Sequence, residues 1–282
     1  MNYDFQCERR LAKLNPEYSQ LVKNTAFVMT NALDRYSLVF PTYTDHSVLH
    51  ALQVINFCNQ LIADQAEMLN EDELFVLLMS CYMHDAGMGI TEKDYQQLYD
   101  VVVSKEFISE HPNADIKEII RNFHHEFSGK FIRKYRMLFE IPTEEHVEAI
   151  VQVSRGHRKT DLFDEKEYPV DYTVPGGNTV CLPYLASLIR LADELDIASD
   201  RNVLLEDDHP DNFDFRKHEA IKRMEMTDDE FSLYTYTDDP ELRKFIEHET
   251  SKLQNVLDVC RDATNTRTKF RITQKKVNII YK

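Results

Sequence analysis

The stretch Cys81-Tyr82-Met83-His84-Asp85-Ala86-Gly87-Met88-Gly89 decides how this chain reads. An apolar helical run, Leu74-Phe75-Val76-Leu77-Leu78-Met79, leads straight into His84-Asp85. An ionised carboxylate at the end of a buried helix costs several kcal/mol unless it is paired or bound to a metal. Imidazole and carboxylate on adjacent residues can both reach one cation if the helix ends there. Gly87 and Gly89 permit the turn that would end it. A capping Asp beside a satisfied His accounts for an isolated pair equally well.

The pair is not isolated. Tyr43-Thr44-Asp45-His46-Ser47 lies upstream. Downstream come His124-His125-Glu126-Phe127-Ser128-Gly129, then Ser154-Arg155-Gly156-His157, then Leu191-Ala192-Asp193-Glu194-Leu195-Asp196. The order His, His-Asp, His, His, Asp, each on or just past its own expected helix, resembles the HD-domain superfamily of metal-dependent phosphohydrolases. The resemblance covers roughly residues 20–205. Within it, the run from Pro183 to Asp196, followed by Asp200-Arg201, looks like the bacterial HD domains found fused to Hsp90-like ATPase modules, called HD-CE. His84-Asp85-Ala86-Gly87-Met88 fits the same branch.

The resemblance implies a ligand set and a chemistry. His46, His84, Asp85 and Asp193 match the four-ligand HD set, with Asp85 able to bridge two metals. His125 matches a later histidine of binuclear members, because Gly129 four residues on follows their H-x-x-x-G pattern; His124 is the alternative for that role. His157 matches a further ligand, or else a phosphate donor. Asp196 would orient a histidine from behind. His84 and Asp85 would be the catalytic pair, acting through a water that the metals activate. Lys130, Arg155, Arg158 and Lys159 are candidates for phosphate oxygens, and a solvated surface explains them equally well. His50 and His124 are candidates for substrate contact. The cofactors implied are divalent cations, one or two, from among Mn, Fe, Mg, Ni and Zn. Arg158 stands where cyclic-di-GMP phosphodiesterases carry a second histidine, and no Gly-Tyr-Pro signature is present, so that substrate is disfavoured.

The expected activity is hydrolysis of a phosphate ester, a nucleotide or a related small phosphorylated molecule. Two other readings are a regulatory or sensory module with little catalysis, and a di-iron oxygenase of the inositol-oxygenase kind. There is no G-x-S-x-G elbow and no P-loop lysine motif, so no separate nucleophile is indicated.

Composition bounds the rest. The chain has 282 residues, 43% of them hydrophobic and 29% charged, ordinary for a globular protein. A net charge of −16 argues against nucleic-acid binding driven by the overall field. Five cysteines without a CxxC pair suggest buried thiols in a reducing compartment. No apolar run reaches the ~20 residues that cross a bilayer, and a cytoplasmic location without a membrane partner is expected. A homo-oligomer and a fused or associated ATPase module are the partners considered besides the substrate.

The fold expected is mainly α, an HD-type helical bundle over residues 1–205, with a small α+β appendage over 206–282. Helical spacing marks residues 16–36, 46–63, 71–83, 91–108, 115–139, 143–154 and 182–198. His46 is expected in the first turn of its helix. Residues 161–179 read as a long polar loop. Residues 223–227 and 230–237 alternate across Asp228-Asp229, a hairpin signal. A helix over 240–263 and strands at 271–273 and 276–281 complete the chain. His111, His146, His209, His218 and His248 read as solvated.

Overall fold

In the computed structural model, residues 5–40, 46–158, 160–198 and 220–282 are described. Residues 41–45, Lys159, Asp200, Arg201, His209 and His218 lie outside them, and with them the expected loop before His46 and one phosphate-binding candidate.

The fold is mainly α-helical, with small sheets of two and three strands. Its axis is α5 (Glu71–Met83), in which every residue from Asp72 to Met83 is buried. A helix that is apolar on all sides must be covered on all sides. Here α1 (Gln6–Leu14), α2 (Pro16–Leu33), α4 (Val48–Ile62), α9 (Glu144–Arg155) and α10 (Leu182–Leu195) cover it. Asn70 starts α5 through a capping box with Glu73, which satisfies otherwise orphaned amides at both positions. Asn15 and Thr143 cap α2 and α9 in the same spirit.

Two corrections concern local structure near the site. α4 begins at Val48 with Ser47 as its cap, the Ser47 hydroxyl accepting from Leu49 N at 3.1 Å. His46 therefore precedes the helix, and His50 occupies its first turn. His146 is buried, not solvated, because it occupies the inward face of α9 beside Val147 and Ile150. His111 and His248 are exposed as expected.

After α5 the chain makes a 3-10 turn, Ala86–Gly89. The short α3 (Tyr36–Val39), α6 (Glu92–Val102) and α7 (Lys105–Glu110) surround a second apolar cluster with α8 (Ile116–Tyr135). The loop over 161–179 is polar outside, but Leu162, Tyr168 and Val174 are buried beneath it. It carries the two-residue strand β1 (Tyr172–Thr173) and runs into β2 (Thr179–Val180), the two paired antiparallel.

The hairpin forms as expected, β3 (Ile221–Met226) antiparallel to β4 (Glu230–Thr235). α11 (Pro240–Arg267) then crosses over to β5 (Lys276–Tyr281), which pairs parallel with β4; a parallel pair needs such a crossover. Residues 271–273 form no strand; Ile272 N is instead bonded to the Asn265 side chain of α11. α11 lies along α10 and contributes Leu253, Leu257, Cys260 and Ala263 to the main core. Phe270 stacks on Tyr184 of α10 with ring centres 4.1 Å apart. All five cysteines are buried and free. Among the described residues no single helix is long and apolar enough to cross a membrane.

Candidate metal centre

Six elements deliver side chains to one buried point. His84 is the C-cap of α5, and Asp85 follows at the entry to the 3-10 turn. His50 comes from α4, His124 from the middle of α8, His157 from just beyond α9, and Asp193 from the last turn of α10. Asp85 sits between two groups. Its Oδ2 lies 3.5 Å from both His50 Nε2 and His84 Nε2. Its Oδ1 lies 3.4 Å from His124 Nε2 and 3.7 Å from His157 Nε2. Asp193 Oδ1 joins the first group, 3.2 Å from His50 Nε2 and 3.9 Å from His84 Nε2. These are two donor sets that could each hold a metal ion, one of His50, His84, Asp85 and Asp193, the other of Asp85, His124 and His157.

The outer nitrogens explain why the inner ones converge. His84 Nδ1 lies 2.9 Å from Cys81 O, His124 Nδ1 2.8 Å from Arg121 O, and His157 Nδ1 2.5 Å from Ser154 O. A carbonyl only accepts, so each Nδ1 carries the proton and each Nε2 presents a lone pair inward. His50 is oriented by a carboxylate instead, with Nδ1 2.5 Å from Asp196 Oδ2. His124 Nε2 and His157 Nε2 are then two acceptors 2.8 Å apart. His50 Nε2 and His84 Nε2 are 3.3 Å apart, with Asp193 Oδ1 3.2 Å from His50 Nε2. Facing lone pairs in a buried site repel, and a cation between them is what the donor chemistry fits.

The electrostatics agree. Burial opposes ionisation of Asp85, yet His84, His46 and His124 hold its carboxyl well below the usual range. Asp193 likewise resists burial through His50, His157 and His84. Burial pushes His124 down, and burial with His84 and His124 pushes His157 well down. Neutral His124 and His157 beside the ionised carboxylates of Asp85 and Asp193 are in the protonation states of metal ligands.

Glycines set the spacing. A Cβ on Gly87 would lie under 3 Å from His124 O, Ser128 N and Phe127 Cβ. Gly87 N also donates to Ser128 Oγ at 2.8 Å. The turn carrying Asp85 is therefore seated directly on the α8 turn carrying His124. On the other side, a Cβ on Gly156 would overlap Ala186 of α10. Arg190 donates from Nε to Gly156 O at 2.6 Å and from Nη2 to Thr160 O at 2.9 Å. It anchors the segment that bears His157 and does not pair with Asp193.

Other expected residues fall as follows. His46 stands at the edge of the first group, its Nε2 4.0 Å from Asp85 Oδ2. His125 is turned away from Asp85; its Nε2 lies 3.7 Å from Glu126 Oε1, and its buried Nδ1 has no hydrogen-bond partner. Burial, then the neighbouring His124 and the charges of Arg158 and Arg155, push it down to about 3. Arg155 is engaged by Glu126 and Gln152 at 2.7 Å each. Arg158 has no carboxylate at ion-pair distance among the described residues, and its charge is felt by both His124 and His125. Lys130 lines a cleft on the far side of the 3-10 turn rather than the metal centre. Sequence reasoning placed His50 with the substrate; its spacing of four from His46 was the available signal. The pairing of His146 with Asp72, and the anchoring role of Arg190, went unread.

A helical bundle with His-Asp at the end of its central helix, and further His and Asp side chains converging from α4, α8, α9 and α10, defines an HD-type domain whose donor sets could hold metal ions. The chain belongs to the HD-CE family, whose profile matches residues 40–267 of the 282. No curated protein matches it.

Proposed function

We propose that the protein is a metal-dependent phosphohydrolase that holds two divalent cations and acts on a small phosphate ester. The observation that supports this most is the division of Asp85, one oxygen toward His50 and His84 and the other toward His124 and His157. In this reading His50, His84, Asp85 and Asp193 hold one cation, and Asp85, His124 and His157 hold the other. Cations bound there would neutralise phosphoryl oxygens and make a bound water more acidic near neutral pH.

The chain's own groups do the rest. The backbone carbonyls of Cys81, Arg121 and Ser154 and the carboxylate of Asp196 fix the tautomers, so no imidazole must turn or lose a proton during a cycle. His46 stands at the rim, its Nε2 4.0 Å from Asp85 Oδ2. Arg158 has no carboxylate at ion-pair distance among the described residues, and it fits a phosphate oxygen of the substrate. Lys159 is its neighbour in the sequence.

Manganese-loaded protein is to be assayed on a panel of phosphate monoesters, phosphodiesters and nucleotides, with Asp85→Ala as the blank. Release of phosphate by the wild type alone is expected. Two bound cations with no release from any panel member would favour the regulatory reading instead.

A further inference from the structure

We propose that the cleft behind the Ala86–Gly89 turn is a binding pocket for a small ring-bearing organic anion, separate from the metal centre. The cleft has a volume of about 220 Å³ and lies between the end of α2, the turn, α6 and α8. None of His46, His50, His84, Asp85, His124, His157 and Asp193 lines it. Its apolar wall includes Leu98 and Phe131, and Arg35, Lys130, Lys134 and Asp94 stand around it. Three cations against one carboxylate is a local reversal of sign in a chain of net charge −16.

The pairing within the cleft leaves two of those cations over. Lys134 Nζ is 2.5 Å from Asp94 Oδ1, so those two charges cancel. Arg35 donates only weakly to Gly89 O, at 3.4 Å. Neither Arg35 nor Lys130 has a carboxylate at ion-pair distance among the described residues. The charge of Lys130 reaches Glu148, but Glu148 is already held by both Nε and Nη2 of Arg133 at 2.7 and 2.6 Å. Lys130 is half-buried, so its charge is less well hydrated than that of a surface lysine, and an anion in the cleft would find it only partly solvated. The apolar wall adds a preference for a flat organic body over a bare inorganic ion. The volume lies below the roughly 300–1,000 Å³ of drug-sized pockets and suits a single ring with one charged group. This inference does not depend on the activity of the metal centre.

The test is calorimetric titration of the metal-loaded full chain with benzenesulfonate, a ring anion that is a poor metal ligand. One-to-one binding is expected. Lys130→Glu is expected to weaken it by about tenfold or more, the loss of a charge-assisted contact, and Leu98→Trp to block it by filling the cleft. His124→Ala is expected to leave it unchanged. Absence of binding to the wild type, or equal affinity in wild type and Lys130→Glu, would overturn the proposal. Loss of binding in His124→Ala would place the anion at the metal centre and overturn the separation of the two sites.

Discussion

Among the described residues histidine is buried beside aspartate in two places, and the two arrangements differ in one respect. At the first, His146 Nε2 is 2.8 Å from Asp72 Oδ1, His146 Nδ1 is 2.9 Å from Thr143 Oγ1, and Asn178 Nδ2 donates to Asp72 Oδ2 at 2.8 Å. Both ring nitrogens and both carboxylate oxygens there have a partner of suitable kind. At the second, around Asp85, Nδ1 of His84, His124 and His157 is satisfied by a carbonyl, and lone pairs face lone pairs inside. Residue type and burial are the same; the match between donors and acceptors is not. A matched set ties elements together, here α5, α9 and the loop before β2. A mismatched set of acceptors asks for a cation.

The comparison is broken most forcefully at Asp85. Asp85→Ala removes the one carboxylate that both donor sets share, so the protein should retain neither cation, read by elemental analysis after dialysis. Retention of a full complement would show that the sets do not meet at Asp85. At the matched site the opposite pattern is expected. His146→Ala leaves Asp72 buried without its main partner and should lower stability by roughly 3–5 kcal/mol, measured by urea unfolding, with metal content unchanged.

Gly87→Ala sharpens the account of spacing. The added methyl meets backbone on α8, which cannot give way as a flexible side chain would, and overpacking of this kind costs roughly 1–3 kcal/mol. Because the turn would lift Asp85 away from His124, one cation should bind about 10–100-fold more weakly while the other is little changed. Gly89→Ala is the control, since its tight contacts are with Arg35, Ala32 and Tyr36 instead.

A smaller effect concerns pH. His124, His125 and His157 have values below the ordinary 6.5 in the fold. The unfolded chain therefore binds more protons than the folded one as pH falls below about 6.5. Stability present above that value is lost as the pH falls toward the folded values, about 3 for His125. The urea midpoint of metal-free protein should decline from pH 7 to pH 5. An increase over that range would contradict the burial of neutral imidazoles. The smallest effect is expected for His125→Ala, which should leave metal content at the wild-type value.

Much of this was legible in the sequence. The apolar run ending in His84-Asp85, the helix that carries Asp193 and the hairpin across Asp228-Asp229 all appear where local pattern puts them. The choice between His124 and His125 was not legible from spacing alone. Adjacent residues on a helix point about 100° apart, and the H-x-x-x-G spacing drew attention to His125 and Gly129. Gly129 in fact faces Val151 and Arg155 of α9. His124 shares its face with Ser128, also four residues on, and Ser128 is bonded to the Gly87 turn. Which face of α8 meets that turn is a tertiary fact. The places of His46 and His50 turn on a similar local fact: Ser47 caps the helix one residue after His46, so His46 precedes α4 and His50 lies in its first turn.

The most direct test of the central claim is the metal-to-protein ratio of His124→Ala beside that of the wild type, after loading with manganese and removal of loosely held ions. Two donor sets sharing Asp85 predict two cations per chain in the wild type and one in the variant, retained by His50, His84, Asp85 and Asp193. Two cations in His124→Ala, or none, would contradict the division of the site at Asp85.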